Sequence, residues 1–407
     1  MRTGLVAAGG LALGPEFWRA ALAAPAERGR SPYGPLGPPD ANGVRLPDGF
    51  RSRVIARGGA QVPGTSYPWH IFSDGASTFA TREGGWILVS NSELPTAPDL
   101  LPGVPLIGSP GDGGASAIRF GPDGEIRSAY RILSGTSTNC AGGATPWGTW
   151  LSCEEIPEGL VWECDPRGKR TAQPRPALGT FQHEAVCVDR RRGHVYFTED
   201  VSDGGFYRFT SRRRGDLRAG KLEIAVVGRG GSVSWRRVPD RAARSAPTRE
   251  QVAGATRFDR GEGIWYSRGF VYLATTGDSR IRAYDVRRQR LRLIYDPKRL
   301  ESPPLTGVDN ITVSRAGELF VCEDVLDGSD PFDIAIITPP PNRRVARFLK
   351  LTGQQQGFPG TDASSEIAGV CFNPRGDRMY FASQRESFTG VVYEVRGPFN
   401  GRRRRRR

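Results

Sequence analysis

The strongest constraint on how this chain can fold is a phrase it uses six times: a glycine turn, then a short run of apolar residues in alternation. The phrase occurs as "EGGWILVSNSEL" (83–94), "PWGTWLSCEE" (146–155), "RRGHVYFTED" (191–200), "SRGFVYLATTGD" (267–278), "RAGELFVCEDV" (315–325) and "PRGDRMYFASQ" (374–384). Further strand-like runs flank the copies, among them "GGFYRFT" (204–210), "RIRAYDV" (280–286) and "GVVYEV" (390–395). Alternation with a period of two between glycine turns is the signature of strands and hairpins. Helical periodicity is almost absent. Radial repetition of small strand units makes a propeller. The expected fold is therefore all-β, a six-bladed β-propeller, with long inter-strand loops because the copies are unevenly spaced. A pair of β-sandwiches is the rival, but it leaves the next pattern unexplained.

Just before each copy stands a second unit: "FSDGASTF" (72–79), "NCAGG" (139–143), "QHEAVCV" (182–188), "GEGIWY" (261–266), "VDNITV" (308–313) and "SEIAGVCF" (365–372). Each places a metal-capable side chain at a strand start, namely Asp74, Cys140, Glu184, Glu262, Asp309 and Glu366. Asp74 is the weakest of the six, because Asp-Gly is also turn chemistry. In a propeller the first strand of each blade lines the axis, so equivalent positions converge at one mouth. Five carboxylates so close cannot all ionise without compensation, and bound cations supply it. Oxygen donors suit calcium, whereas a thiolate among them asks for a softer or redox metal such as iron or zinc. One member each of the pairs Glu154–Glu155 and Glu199–Asp200 is placed to reach the same ions. His183 alternates away from Glu184 and reads as structural. Arg260 lies two residues before Glu262, on the same side of a strand, where it can clamp an anion or simply pair with Glu262.

Composition narrows the chemistry further. With three histidines (His70, His183, His194) a multi-histidine metal site has almost no material. The net charge of +14 includes six consecutive arginines at 402–407, which read as a solvated tail. No interleaved basic and aromatic motif points to nucleic acid. The N-terminus, "MRTGLVAAGGLALGPEFWRAALAAPA", resembles an export signal, with twin-arginine export possible if the true start lies upstream. No stretch is apolar for long enough to span a membrane. Most of the six cysteines read as buried small hydrophobes, with a Cys153–Cys164 bridge left open. The expected organisation is an export-signal remnant or disordered extension over 1–30, one propeller domain over 31–398 and a basic disordered tail over 399–407. A periplasmic or extracellular monomer is expected.

Taken together, "TPWGTWLSCEE", "HEAV", "RGEGI", "VDNITV" and "EIAGVCF", with the earlier "RLPDGF" and "SNSEL", resemble the PhoX-type alkaline phosphatase family over about residues 40–395. The resemblance implies an exported six-bladed propeller that hydrolyses phosphomonoesters with ferric iron and calcium. On the matching motifs, Cys140 stands where the family has an iron-ligating thiolate. Glu184, Glu262, Asp309 and Glu366 stand at its cluster carboxylates, and Arg260 at a phosphate-contacting position. Ser92 replaces a frequent histidine, and Gly261 a usual proline. Two other functions remain compatible with the residues alone. One is a calcium-dependent lactonase or esterase, in which Cys140 is idle, and the other a non-catalytic calcium-stabilised binding propeller.

Overall fold

The computed structural model describes residues 24–94, 113–324, 332–352 and 365–399. Among these, regular structure is β-strand apart from short 3-10 turns. The strands form six separate antiparallel sheets, apart from one short parallel pairing at the N-terminus. The innermost strand of each sheet is one of the second units found in the sequence: β1 (Ser73–Ala80), β2 (Asn139–Ala144), β3 (His183–Val188), β4 (Gly261–Ser267), β5 (Val308–Val313) and β6 (Ile367–Phe372). Each forms a hairpin with the following copy of the repeated phrase. The repeated glycine has a mechanical reason. Gly84, Gly148, Gly193, Gly269, Gly317 and Gly376 all sit at left-handed φ between 72° and 92°, where a side chain is strained.

Neighbouring inner strands touch in cyclic order, β1 to β6 and back to β1, so the sheets surround an axis as an all-β propeller. Six apolar layers fill the gaps between adjacent sheets. The ring closes through the chain's early part: Arg51–Arg57 supplies the outer strand of the last sheet by pairing with Val391–Arg396. Beside this closure, Tyr33, Phe50, Phe320, Phe348, Phe372 and Phe399 make edge-to-face contacts, worth about 0.5–1.5 kcal/mol per pair beyond their burial.

Two expected boundaries move. Residues 24–30 join the fold instead of forming an extension: Ala26 is buried and Glu27–Arg28 pairs with Arg344–Leu351. Residues 1–23 lie outside the described residues. Phe399, expected to open the tail, is buried in the aromatic cluster, whereas 400–407, with the six arginines, lie outside the described residues. Cys153 and Cys164 are both free and buried, so no bridge joins them. Among the described residues no helix is long and apolar enough to cross a membrane.

The inner strands approach so closely that some positions admit no side chain. A methyl group on Gly143 would overlap the Val186 carbonyl, and one on Gly75 the Ala141 backbone. Gly143→Ala is expected to cost about 1–3 kcal/mol, seen as a lower melting temperature. Unchanged melting would show that the ring is not closed this tightly.

Candidate metal centre and phosphate site

The six hairpins share a device that builds the site. Near the start of every inner strand the ladder to its partner slips by a bulge. Bulges re-aim side chains and end regular pairing. A backbone hydrogen bond then recurs six times, from the residue leaving the second strand to the carbonyl of the residue before the inner strand. It joins Glu93 to Phe72, Glu155 to Thr138, Asp200 to Gln182, Thr276 to Arg260, Asp324 to Gly307 and Gln384 to Glu366, at 2.9–3.3 Å. These bonds put the hairpins in phase and sort the mouth into three tiers.

The inner tier comprises Asp74, Cys140, Glu184, Glu262, Asp309 and, in the last sheet, Ala368. All of these are buried. The exit tier comprises Glu93, Glu155, Asp200, Thr276, Asp324 and Gln384. Its four acids are half-buried. Arg260 and Glu366 belong to the third tier. Ligand atoms lie within 4.8 Å of one another in three linked groups: Asp74–Glu93–Cys140, Cys140–Glu155–Glu184 and Glu184–Glu262–Asp309. The fold therefore brings four of the five expected ligands together: Cys140, Glu184, Glu262 and Asp309. The weakest sequence candidate, Asp74, joins them.

Glu366 is the exception. It stands one tier out, in the phase of Arg260, and Arg385 Nη1 lies 3.2 Å from its Oε2. The residue in ligand phase in that sheet is Ala368, which offers no ligand. Of each expected acidic pair, the second member faces the cluster. Glu154 instead accepts from Ser137 N, Leu160 N and the Trp162 indole, and Glu199 accepts from Gly205 N, Tyr207 and Arg249. Sequence reasoning missed Glu93, Asp324, Gln384 and Arg385. Their only signal is a shared position just past a second strand. His183 is structural as expected: it stacks on Phe181, its Nε2 meets the Gly179 carbonyl, and burial pushes its pKa down to about 3.

The electrostatics are those of a site built for cations. Burial, reinforced by neighbouring acids, pushes the carboxyls of Asp74, Glu155, Glu184, Glu262 and Asp309 well above the usual range. Glu93 rises to about 7 and Asp324 to about 8, again chiefly by burial and then by Glu366. The Cys140 thiol is pushed up by burial and by Asp74 and Glu184. Both oxygens of Glu184 are buried without a hydrogen-bond partner. An isolated buried carboxylate is costly, and a metal ion satisfies both oxygens at once. The donor set of carboxylates and one sulfur therefore fits cation binding.

Arg260 is held at φ 53°, a strained setting for a residue with a side chain. Its Nε and Nη2 each lie 3.0 Å from an Asp200 oxygen, and Nη2 is also 3.0 Å from Glu262 Oε1. Asp324 lies 3.8 Å away. Pairing with Glu262 is thus observed, together with a bidentate grip by Asp200 that the sequence did not announce. Along the axis, away from the acids, a cavity of ≈ 550 Å³ follows the inner strands past Gly75, Ala141, Ala185, Gly263 and Asn310.

The sequence profile of the family described as "Alkaline phosphatase PhoX" matches residues 113–299 and 288–386, more than half of the chain. The chain belongs to this family. It is a phosphoric monoester hydrolase of the alkaline phosphatase type, and its substrate is a phosphate ester. Among solved structures it is similar to Pseudomonas fluorescens PhoX in complex with vanadate, a transition state analogue. That similarity has a TM-score of 0.70 at 18% identity over 92% of this chain and 97% of that one. The pyranose dehydrogenase PQQ domain of Coprinopsis cinerea follows the same fold less closely, at TM-score 0.52 and 11% identity over 88% of this chain and 98% of that one. So does a Xanthomonas campestris gluconolactonase, at TM-score 0.50 and 13% identity over 90% and 99%. At such identities the likeness is one of fold. No curated protein matches the sequence.

A pH dependence follows for the PhoX-family fold stripped of metal. Glu93 and Asp324 hold their protons to higher pH in the fold than in the unfolded chain. Between about pH 4 and pH 8 the unfolded chain therefore binds fewer protons, and stability falls as pH rises. The chelated protein is expected to melt at progressively lower temperature across this window, and added calcium is expected to flatten the slope. A chelated protein whose melting temperature is flat or rises with pH would contradict it.

Proposed function

We propose that the protein hydrolyses phosphomonoesters at an iron and calcium cluster held on the propeller axis, with each of the six sheets counted as one blade. The single observation carrying this reading is the convergence of Cys140 with Asp74, Glu93, Glu155, Glu184, Glu262 and Asp309 into three linked ligand groups. Cys140 would bind the redox metal, ferric iron, and the carboxylates would hold calcium beside it. When bound, such cations supply positive charge against the phosphoryl oxygens and acidify water, which phosphoryl transfer needs more than a protein nucleophile.

The chain's own residues do the rest. Arg260 would orient the phosphate at the mouth, its fork held in plane by Asp200 and Glu262. Glu262 thereby touches both the ligand group and the guanidinium, which couples the position of the phosphate to the cluster. The buried inner tier keeps bulk water from the ligands, while the half-buried exit tier leaves the mouth open to substrate. A lactonase of this architecture would need one divalent ion and would leave the sulfur idle, so the linked groups favour the phosphatase. We further propose an exported monomer, periplasmic or extracellular, consistent with the signal-like N-terminus.

Metal content decides the cluster. Protein purified without added metal is expected to contain iron together with several calcium ions per chain. Cys140→Ser is expected to lose the iron, and Glu184→Gln to lose bound metal. Arg260→Ala is expected to keep the metals and lose about 100-fold in kcat/KM on para-nitrophenyl phosphate. A single calcium per chain, or full activity in Cys140→Ser, would overturn the assignment.

A further inference from the structure

We propose that Arg385 is a second phosphate-contacting residue, acting with Arg260 across Asp324, and that the two guanidiniums together select dianionic monoesters over monoanionic diesters. This rests on the reading of the mouth as a phosphate-ester site.

The phase of the hairpins shows where an anion can approach. Glu93, Glu155, Asp200 and Asp324 make four of the six exit positions acidic. The two neutral ones are Thr276 and Gln384. Each of these sheets, and among the described residues no other, places an arginine at the mouth: Arg260, whose carbonyl receives Thr276 N, and Arg385, next after Gln384. The sheet between them carries Asp324, 3.8 Å from Arg260 and within electrostatic reach of both guanidiniums. A dianion entering here meets the least acidic sector and the only two cations described at the cluster.

The two arginines differ in how much of the fork is already taken. Arg260 gives both edges to carboxylates, so a phosphate must displace Asp200 or Glu262 to be gripped bidentately. Arg385 has one close partner, Glu366 at 3.2 Å, while Glu93 stands at 3.9 Å. Its side chain keeps 21% exposure at the mouth. Its backbone is fixed, with its N–H donating to Ser365 Oγ at 2.9 Å and its carbonyl accepting from Phe388 N. Gln384 is anchored too, its amide donating to Asp74 and Glu93. Arg385 is thus a guanidinium carried on a fixed backbone with donors to spare, as phosphate recognition requires. A monoester dianion offers three unsubstituted oxygens to two such forks. A diester offers two oxygens and half the charge.

The test uses the metal-loaded full chain with inorganic phosphate as probe. Arg385→Gln is expected to weaken phosphate binding, measured by calorimetry, about tenfold. It should raise KM for para-nitrophenyl phosphate by a similar factor with a smaller change in kcat, and lower the monoester-to-diester preference. Metal content is expected to stay unchanged, and Arg385→Lys to recover part of the affinity. Wild-type phosphate affinity in Arg385→Gln would overturn the proposal. So would metal loss in both variants in proportion to the lost affinity, which would make Arg385 a support for Glu366 and Glu93. Should Arg385→Gln fail to fold, Arg385→Lys alone decides, since unchanged affinity there refutes the bidentate contact. A wild type that binds phosphate but turns over no monoester would instead refute the phosphatase reading and leave the Arg385 measurement standing.

Discussion

Mutual repulsion among acids at the hub is the constraint around which this molecule is organised. Asp74, Glu93, Glu155, Glu184, Asp200, Glu262, Asp309, Asp324 and Glu366 face one mouth, with Arg260 and Arg385 the only guanidiniums described among them. No chain gathers such charge by its own preference. The strand ladders, the bulges and the close-packed inner glycines impose it. The apolar layers between the sheets provide the driving force, because burying them requires the ring to close. Part of the stability gained there is held as electrostatic tension at the axis, and cations are what release it.

The fold was largely legible because propeller architecture writes itself locally. A hairpin needs a left-handed turn residue and alternating strands, and both leave marks in a single copy. Repetition then does the rest. The edges were less legible. Ala26 ends an alanine-rich, signal-like run and Phe399 stands just before the arginine tail, and only their distant partners, Ile294 and the aromatic cluster, make them part of the domain.

The site divided along a similar line. Cys140, Glu184, Glu262 and Asp309 stand second in their strands, and that regularity survives in sequence. Glu366 reads in sequence as the acid nearest a strand start, whereas the ladder places Ala368 in the inner tier and Glu366 one tier out, where its charge still reaches Asp74, Asp309 and Asp324. The turns differ in length, so counting from the glycine cannot fix register. Only the backbone pairing does. The exit tier was read by halves. "CEE" and "TED" show two acids each, but which one turns inward depends on where strand alternation ends. Arg385 was invisible because an arginine in an arginine-rich chain carries no signal until its neighbours are known.

Ring closure also fixes when the centre can exist. Its ligands run from Asp74 to Asp309, and their convergence depends on a last sheet made by joining Arg51–Arg57 to Val391–Arg396. A growing polypeptide emerging in order holds the first ligands long before it holds the strand that completes the circle. Cations held as proposed would therefore be captured late, once the C-terminal strands have arrived to close the circle.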